Sequence, residues 1–269
     1  MDKGNYIDVF YMDIAKAFDS CSHSIIGKKL GAYGFCGNLL NWLKAFLSDR
    51  KQRVVIDNEK SDIANVTSGV PRGSSLGPLL FLLYINDLPQ LFENDKITLK
   101  MFADDCKLYI SVPKNSTDVF DFEAAINKVY DWCKDARLSL ALQKCSVLHL
   151  GYANPSKTYG IENTEFENVT EMRDLGILVG SDHNKNISFS SHCRKIASNA
   201  SVSGNLILKA FTTKNRKFLT NMYKTFVRPK LEYASSAWNP FLVKDKNFGE
   251  RPKKFYIAFA RYEAITRSV

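Results

Sequence analysis

Three aspartates stand where a chain can hold a carboxylate rigidly. Asp13 comes near the end of an apolar run, residues 6–14, and Asp104 and Asp105 form the tip of an expected hairpin over 98–112. An Asp in an apolar run is unfavourable unless its charge is neutralised, and clustered carboxylates repel one another. Bound Mg²⁺ would resolve both problems, and a pair of such ions can serve phosphoryl transfer. Adjacent acids are also common in tight turns, so the spacing alone leaves a metal site and a plain turn open.

Hydrophobic periodicity predicts the elements that would position these acids. The predicted strands are 6–14, 53–56, 98–102, 107–112 and 146–150. The predicted helices follow Ser22 up to Gly34, span 38–48 and 78–88, begin at a cap at Ser116 or Thr117, and span 190–211, 214–226 and 229–238. The 78–88 helix is apolar all round, which indicates burial. This order predicts an α+β fold with an antiparallel sheet covered by helices on one face.

The chain has 269 residues with 45% hydrophobic and 24% charged residues. These values exclude a wholly disordered, collagen-like or coiled-coil chain. The net charge of +9 is unevenly spread: residues 1–182 carry 20 Lys and Arg against 24 Asp and Glu, whereas residues 183–269 carry 17 against 4. A local basic excess of this size favours contact with nucleic-acid phosphates over a merely solvated face. We place a domain boundary near 183–190.

Cysteine usage and the N-terminus bear on the compartment. The six cysteines are irregularly spaced without a C-x-x-C pair, so neither a zinc site nor a disulfide framework is expected. The sequence starts MDKGNYID, which lacks the apolar run of a signal peptide. The longest apolar stretch, 76–88, is too short to cross a bilayer. We expect an intracellular protein that makes no membrane contact.

Long ordered motifs carry a family resemblance. The strings YMDIAKAFD (11–19), TSGVPRGSSLGPLLFLLYINDL (67–88) and FADD (102–105) resemble reverse transcriptases of non-LTR (LINE-type) retrotransposons. The similarity continues through LSLALQKC (138–145), DLGILV (174–179) and YKTFVRPKLEYASSAW (223–238). It covers roughly residues 6–240.

The resemblance implies a polymerase-type palm and two-metal chemistry. Asp13 matches the first catalytic aspartate of the family, and Asp104 and Asp105 match the pair in its second metal-binding motif. Two Mg²⁺ ions, with Mn²⁺ as an alternative, would be held there. A primer 3′-hydroxyl would attack the α-phosphate of a dNTP and release pyrophosphate. The implied partners are an RNA template, a DNA primer, their RNA–DNA duplex and dNTP, in the cytoplasm and nucleus; the oligomeric state is left open.

The resemblance also assigns a nucleotide-binding set. The backbone near Ile14 and Ala15 would face the triphosphate. Phe18 would exclude a 2′-hydroxyl, although a plain core role is the alternative for a Phe. Lys144 would lie near the leaving pyrophosphate, or would be a surface lysine. Arg72 and Gly73 complete the set, but the family typically has Gln where this chain has Arg72, which puts the usual template contact in doubt because Arg only donates.

Primer and template contacts are implied in two further segments. Gly69 and Pro71 belong to a loop in which backbone can approach template closely, and Leu175, Gly176 and Ile177 match the turn called the primer grip. The basic helices after residue 186 match the thumb, which holds duplex through phosphates. Its candidate residues are Lys195, Lys209, Lys214, Arg216, Lys217, Lys224 and Arg228. The four histidines, His23 among them, are expected to be structural.

The position of Asp13 so near the start predicts a palm and thumb without fingers. We therefore expect a palm over 1–185, a basic helical thumb over 186–240 and an unassigned tail over 241–269. The predicted function is RNA-directed DNA polymerase, a nucleotidyltransferase, as an incomplete copy. Two alternatives are an inactive retrotransposon relic that at most binds nucleic acid, and a two-metal nuclease, which gives the 67–88 motif no role.

Overall fold

The computed structural model describes residues 5–92, 96–113, 121–182, 184–213 and 215–239. The chain divides into two compact units, Met1–Val169 and Thr170–Val269. The division after Val169 lies earlier in the chain than the boundary after residue 185, which the charge distribution predicts. The reason is that three short strands before the basic helices pair with one another in the second unit.

The first unit holds the long strands and the apolar helices. Its strands are β1 (Tyr6–Ala15), β2 (Lys51–Gln52), β3 (Val55–Ile56), β4 (Glu59–Lys60), β5 (Ala64–Asn65), β6 (Ile97–Phe102), β7 (Asp105–Val112), β8 (Ser139–Leu140), β9 (Ser146–Leu150), β10 (Gly160–Ile161), β11 (Thr164–Glu165) and β12 (Glu167–Val169). Its helices are α1 (Ala17–Ser20), α2 (His23–Ala32), α3 (Gly37–Leu47), α4 (Leu76–Ile85) and α5 (Phe122–Asp135). Short 3₁₀ turns cover Leu88–Phe92 and Leu142–Lys144.

The main sheet has the strand order β12-β9-β1-β7-β6, with β8 also paired to β1. The pairs β1–β7, β1–β9 and β6–β7 are antiparallel. One edge departs from the predicted antiparallel sheet, because β12, a strand that was not predicted, runs parallel to β9. Residues 51–65, called the 51–65 hairpin below, turn at Asp57 and Asn58 between β3 and β4.

The core of this unit lies on one face of the sheet. Phe10, Met12 and Ile14 alternate along β1 and are all buried, as the two-residue period of a strand requires. α4 and α5 contribute buried apolar side chains to the same cluster. α5 begins at Asp121, whose side chain accepts from the backbone N–H of Ala124; the predicted caps Ser116 and Thr117 lie outside the described residues. α4 is not buried all round, since Leu79 and Leu82 are about half exposed.

The second unit combines a small sheet with helices. Its strands are β13 (Glu171–Asp174), β14 (Ile177–Ser181) and β15 (Ile187–Ser188), all paired antiparallel. Its helices are α6 (Ser190–Ala210), α7 (Arg216–Met222), α8 (Arg228–Glu232) and α9 (Ser235–Trp238), with a π turn over Tyr223–Val227. The predicted helix 229–238 is broken, because Ala234 adopts a left-handed conformation with φ +50°.

Two further expectations concern the thiols and the membrane. The six cysteines are all free, and five are buried while Cys36 is exposed. Within the residues described above, no helix combines the length and apolar character needed to cross a bilayer.

Candidate active site

β1 and β7 bring two of the three predicted acids face to face. Asp13 is in register with Asp105 at the end of the β1–β7 ladder. Side chains of directly opposed residues in an antiparallel pair share one face of the sheet. This face is opposite to the core face, because Met12 and Cys106, one residue away on each strand, are buried. The ladder therefore presents both carboxylates on the open face.

Asp104 lies in the tight turn that joins β6 to β7. Phe102 pairs with Asp105, so Ala103 and Asp104 are the two turn residues. Ala103 takes φ +53°, a conformation that two-residue hairpin turns require. Asp104 and Asp105 are both exposed. The turn thus places Asp104 directly before Asp105 in the chain. The expectation that both acids form the tip was wrong for Asp105, which belongs to β7 because it pairs with both Phe102 and Asp13.

Lys144 supplies a cation to this group. Its Nζ lies 3.1 Å from Oδ2 of Asp13, with the two side chains 73% and 44% exposed. The contact arises because the backbone N–H of Ala141 donates to the carbonyl of Asp13 at 2.8 Å, which holds the 3₁₀ turn Leu142–Lys144 against the end of β1. Lys144 is thus a surface lysine that also pairs with Asp13, and its place near a leaving pyrophosphate stays a prediction.

The thiols beside the acids are held protonated. Burial raises the pKa of Cys106 to about 12, and the charges of Cys133, Asp105 and Asp104 add to the effect. Burial likewise raises the pKa of Cys145. A thiol must lose its proton to act as a nucleophile or metal ligand. Cys106 also lies on the core face of β7, opposite to the face that carries Asp13 and Asp105.

The described residues contain no group of three or more His, Cys, Asp or Glu side chains gathered around a common ion position. Mg²⁺ does not require such a cage, since it commonly binds one or two carboxylates and completes its octahedron with water and substrate phosphate oxygens. The donor set of Asp13, Asp104 and Asp105 fits that chemistry.

The other nucleotide-binding candidates follow β1. Ile14 is buried and Ala15 partly so, and both are in register with β8. Phe18 is partly buried and stacks on Phe81, with ring centroids 4.4 Å apart. The core residue Phe81 therefore holds the Phe18 ring in place. This is so whether Phe18 excludes a 2′-hydroxyl or is only a core residue.

The 67–73 loop is fastened to the segment that carries Phe18. The N–H of Val70 donates to the carbonyl of Phe18, and the N–H of Gly69 donates to that of Cys21, both at 2.8 Å. Nε2 of His23, the first residue of α2, lies 2.8 Å from the carbonyl oxygen of Gly69. These bonds tie the loop and the Phe18 segment into one unit.

Glycine is needed at position 69 for a reason that the sequence did not reveal. Gly69 has φ +85°, and an added Cβ would lie 2.8 Å from the backbone of Asp19. We expected Gly69 to let template approach the backbone closely. In this structure the neighbour that comes this close is the backbone of Asp19. Gly73 differs, since its φ is +77° but a Cβ would meet open space.

Arg72, the departure from the family motif, has a defined partner. Its Nη2 donates to Oδ2 of Asp19 at 2.7 Å, and both side chains are more than half exposed. The adjacent Pro71 accepts a hydrogen bond from Ser74 through its carbonyl. The guanidinium of Arg72 therefore forms an ion pair with Asp19 on α1.

The predicted primer-grip turn lies in the second unit. Asp174 pairs with Ile177, so Leu175 and Gly176 form a two-residue turn with φ +45° and +88°. The hydroxyl of Tyr233 donates to the carbonyl of Leu175 at 3.1 Å. A Cβ at Gly176 would lie 3.2 Å from the Tyr233 ring, so the glycine accommodates this ring.

The basic candidates of the second unit are surface residues. Lys195, Lys209, Arg216, Lys217, Lys224 and Arg228 are exposed, and Lys214 lies outside the described residues. Arg228 pairs with Glu232 at 2.6 Å, and this hydrogen bond raises the pKa of the guanidinium. Exposure leaves these cations accessible to phosphate.

One polar cluster in the core escaped the sequence analysis. Asp8 is 2% exposed and accepts hydrogen bonds from Nδ1 of His149 at 2.6 Å, Nδ2 of Asn154 at 2.7 Å and the hydroxyl of Tyr159 at 2.6 Å. Nε2 of His149 lies 3.1 Å from Oδ1 of Asn168. The signal was present, since Asp8 interrupts the core-facing positions of an apolar strand. The expectation of a structural His149 agrees with this setting.

Comparison with known proteins decides the family. The family described as "Reverse transcriptase (RNA-dependent DNA polymerase)" matches residues 2–219. The chain belongs to the reverse transcriptase family. Among its relatives, a probable RNA-directed DNA polymerase from transposon X-element of Drosophila melanogaster is 26% identical, and the match covers 88% of this chain. The RNA-directed DNA polymerase from mobile element jockey of Drosophila funebris is 24% identical over 87% of this chain.

These relatives confirm the resemblance to non-LTR retrotransposon reverse transcriptases. The match covers 26% of each relative, so this reverse transcriptase chain spans about a quarter of their length. Among solved structures, telomerase from Candida albicans in complex with a TWJ fragment of telomeric RNA gives a TM-score of 0.49 at 10% identity over 94% of this chain and 47% of that chain. Apo telomerase from Candida tropicalis gives 0.49 at 11% identity over 97% and 43%.

Proposed function

We propose that this chain supplies the catalytic palm of an RNA-directed DNA polymerase that extends a DNA primer on an RNA template. The observation that carries the proposal is the register of Asp13 with Asp105 on the open face of the sheet, with Asp104 in the adjoining turn. The primer 3′-oxygen forms a bond to the α-phosphorus of a dNTP and loses its proton. The bond from that phosphorus to the bridging oxygen breaks, and pyrophosphate leaves.

Asp13, Asp104 and Asp105 would hold the divalent ions, with Mg²⁺ as the first choice for oxygen ligands. When bound, such ions lower the pKa of the attacking hydroxyl and neutralise the charge that develops on the phosphate. The protein contributes position and electrostatics: the β1–β7 ladder fixes two carboxylates, and the rigid turn fixes the third. Carboxylates held in this way would keep the ions in place without reorganisation during the reaction.

Lys144 and Phe18 would act on the nucleotide. Lys144, beside Asp13, would place a positive charge where the pyrophosphate leaves. Phe18, held by Phe81, would fill the space that a ribose 2′-hydroxyl needs. Ile14, Ala15, Arg72 and Gly73 would complete the nucleotide side.

Each unit would make its own contacts with nucleic acid. Gly69 and Pro71 would border the template, and the Leu175–Gly176–Ile177 turn would support the primer strand. The exposed Lys195, Lys217 and Arg228, together with Lys214, would hold phosphates in a thumb over 186–240.

Primer extension by the 269-residue chain tests the proposal. We expect a labelled DNA primer on an RNA template to lengthen with dNTP and Mg²⁺, and Asp104→Asn or Asp13→Asn to reduce the rate at least about 100-fold. Asp131→Asn, an exposed acid on α5, is the matched control and should extend normally. Full extension by Asp104→Asn would overturn the site.

A second candidate is an inactive relative that binds nucleic acid without extending a primer. It is favoured by Arg72, which replaces the usual Gln and is paired with Asp19. This candidate predicts salt-dependent binding of RNA–DNA duplex with no extension by the chain. Extension by Arg72→Gln alone would identify Arg72 as the inactivating change.

A further inference from the structure

A groove of about 560 Å³ lies between α2 and α3 on the first unit. Its walls are apolar and are formed by Ile26 and Leu30 of α2 and by Leu43 and Leu47 of α3. Its lining extends from His23 to Gly31 along α2, which is about 12 Å at the helical rise of 1.5 Å per residue. None of its lining residues belongs to the proposed contacts with metal, nucleotide, primer or template.

Two glycines of α2 open the groove. Gly27 and Gly31 are four residues apart, so they lie on the same face of the helix. An added Cβ at Gly27 would lie 3.3 Å from Cε of Lys44, whereas one at Gly31 would meet nothing within 4 Å beyond its chain neighbours and its own helix backbone. The aliphatic stem of Lys44 therefore crosses the groove at Gly27, and the space over Gly31 is open to a side chain of a partner.

The groove carries positive charge. Lys28 and Lys44 line it and are exposed, and neither lies within ion-pairing distance of a carboxylate among the described residues. Residues 20–48, which include both helices, contain no Asp or Glu. A carboxylate brought to these lysines by a partner would meet attraction from both and repulsion from no acid of this segment. The groove is therefore complementary to a partner that is apolar on one side and acidic at its flanks.

We propose that this groove docks an amphipathic helix of another protein, with its apolar face between α2 and α3 and its acidic residues beside Lys28 and Lys44. An amphipathic helix laid into an apolar groove is a recurring mode of peptide recognition. RNA fits less well, because among the described residues no Phe, Tyr, Trp or Arg lines the groove to stack a base. The inference goes beyond the proposed function, since docking needs no primer, nucleotide or metal.

Binding of a fluorescein-labelled helical peptide to the full chain, followed by fluorescence anisotropy, tests the groove. The acidic probe is a peptide of about 16 residues built from Leu, Ala and Glu, with Leu recurring every three or four positions and Glu on both flanks. The basic probe has Lys in place of each Glu. We expect the acidic probe to bind at least about tenfold more tightly than the basic probe. Its affinity should fall as added salt screens the two lysines.

Reversal of the groove charge tests the electrostatic part. We expect Lys28→Glu/Lys44→Glu to weaken binding of the acidic probe at least about tenfold and to strengthen binding of the basic probe. Lys60 of the 51–65 hairpin and Lys100 of β6 are exposed and do not line the groove. Lys60→Glu/Lys100→Glu therefore makes the same change of net charge elsewhere on the first unit and is the matched control, which should bind both probes as the wild type does.

Filling the open space tests the apolar part. We expect Gly31→Leu to weaken binding of the acidic probe at least about tenfold, because the added side chain takes the place of the partner's. The melting temperature should not fall, since Leu favours a helix more than Gly does and a Cβ at this position meets no neighbour. Ala32→Leu adds the same side chain at the next residue, which is exposed and outside the groove, and is the matched control.

The inference is overturned if Lys28→Glu/Lys44→Glu binds both probes like its control, or if Gly31→Leu binds the acidic probe like Ala32→Leu. It is also overturned if a single-stranded RNA displaces the acidic probe from the wild type, which would make the groove a nucleic-acid site. The binding assays contain no primer, dNTP or divalent metal ion. Their outcome is therefore separate from that of the primer-extension assay, and failure of one leaves the other standing.

Discussion

The ammonium of Lys144 lies 3.1 Å from a carboxylate oxygen of Asp13, at the edge where β1 meets β7. The residues are 131 positions apart in sequence, and the contact depends on the 3₁₀ turn that follows β8. It places a positive charge beside the first of three acids. Removal of Lys144 therefore separates a catalytic effect from a structural one.

Replacement of Lys144 by Met should lower the rate of primer extension at least about tenfold while leaving folding stability nearly unchanged. Exposed ion pairs contribute only about 0–1 kcal/mol, and Lys144 is 73% exposed. Thermal unfolding checks the second half, with a shift of less than about 4 °C expected. Lys144→Arg keeps the charge and is the control. An unchanged extension rate in Lys144→Met would assign Lys144 to the surface.

Replacement of Asp8 by Asn should destabilise the first unit by about 1–3 kcal/mol at pH 7, because the amide cannot accept from all of the donors that now face the carboxylate. Burial alone would raise the pKa of Asp8, but hydrogen bonds from His149, Asn154 and Tyr159 outweigh it and hold this pKa below its ordinary value. A lowered folded-state pKa stabilises the protein above the unfolded-state value of about 3.9.

The contribution of Asp8 should thus be lost as the pH falls through its folded-state pKa. The free energies of unfolding of wild type and Asp8→Asn, measured by urea denaturation, should converge as the pH falls below about 4. Burial also raises the pKa of Tyr159, so its hydroxyl remains a donor over this range. A constant difference between the two proteins from pH 7 to pH 3 would contradict the assignment.

Replacement of Gly69 by Ala should cost more stability than the same change at Gly73. Both residues have positive φ, so each variant carries backbone strain of about 1–2 kcal/mol. Only at Gly69 does the added methyl meet backbone, at 2.8 Å from Asp19. Urea denaturation should show Gly69→Ala as the less stable variant by at least about 1 kcal/mol. Equal losses would mean that the close approach is relieved without cost.

Replacement of Phe18 by Val should reduce discrimination between dNTP and rNTP by about 10- to 200-fold in kcat/KM, the range expected when one steric contact in a pocket is removed. Because Phe18 stacks on Phe81, the variant is also expected to lose stability. Phe81→Leu disturbs the same stack from the core side and is the control. Equal discrimination by wild type and Phe18→Val would leave Phe18 with its core role alone.

Much of the first unit follows from local pattern. A run that is apolar at nearly every position specifies β1, and paired strand patterns around two acids specify the hairpin that carries Asp104. The resemblance carried by the motifs fixed the family, because long ordered strings do not arise from composition. Local pattern failed at the predicted helix 229–238, which the structure breaks. No local feature of this segment marks Ala234 as the residue that adopts a left-handed conformation and ends α8.

The sequence by itself determined the acids, their strands, the basic C-terminal third and the family. Only the tertiary structure decided which residues meet. The register of β1 with β7 opposes Asp13 and Asp105, and the register of β1 with β9 puts His149 beside Asp8. The fold also brings the guanidinium of Arg72 to Asp19. Such contacts depend on long-range pairing between distant segments, and a spacing in sequence does not encode a distance in space.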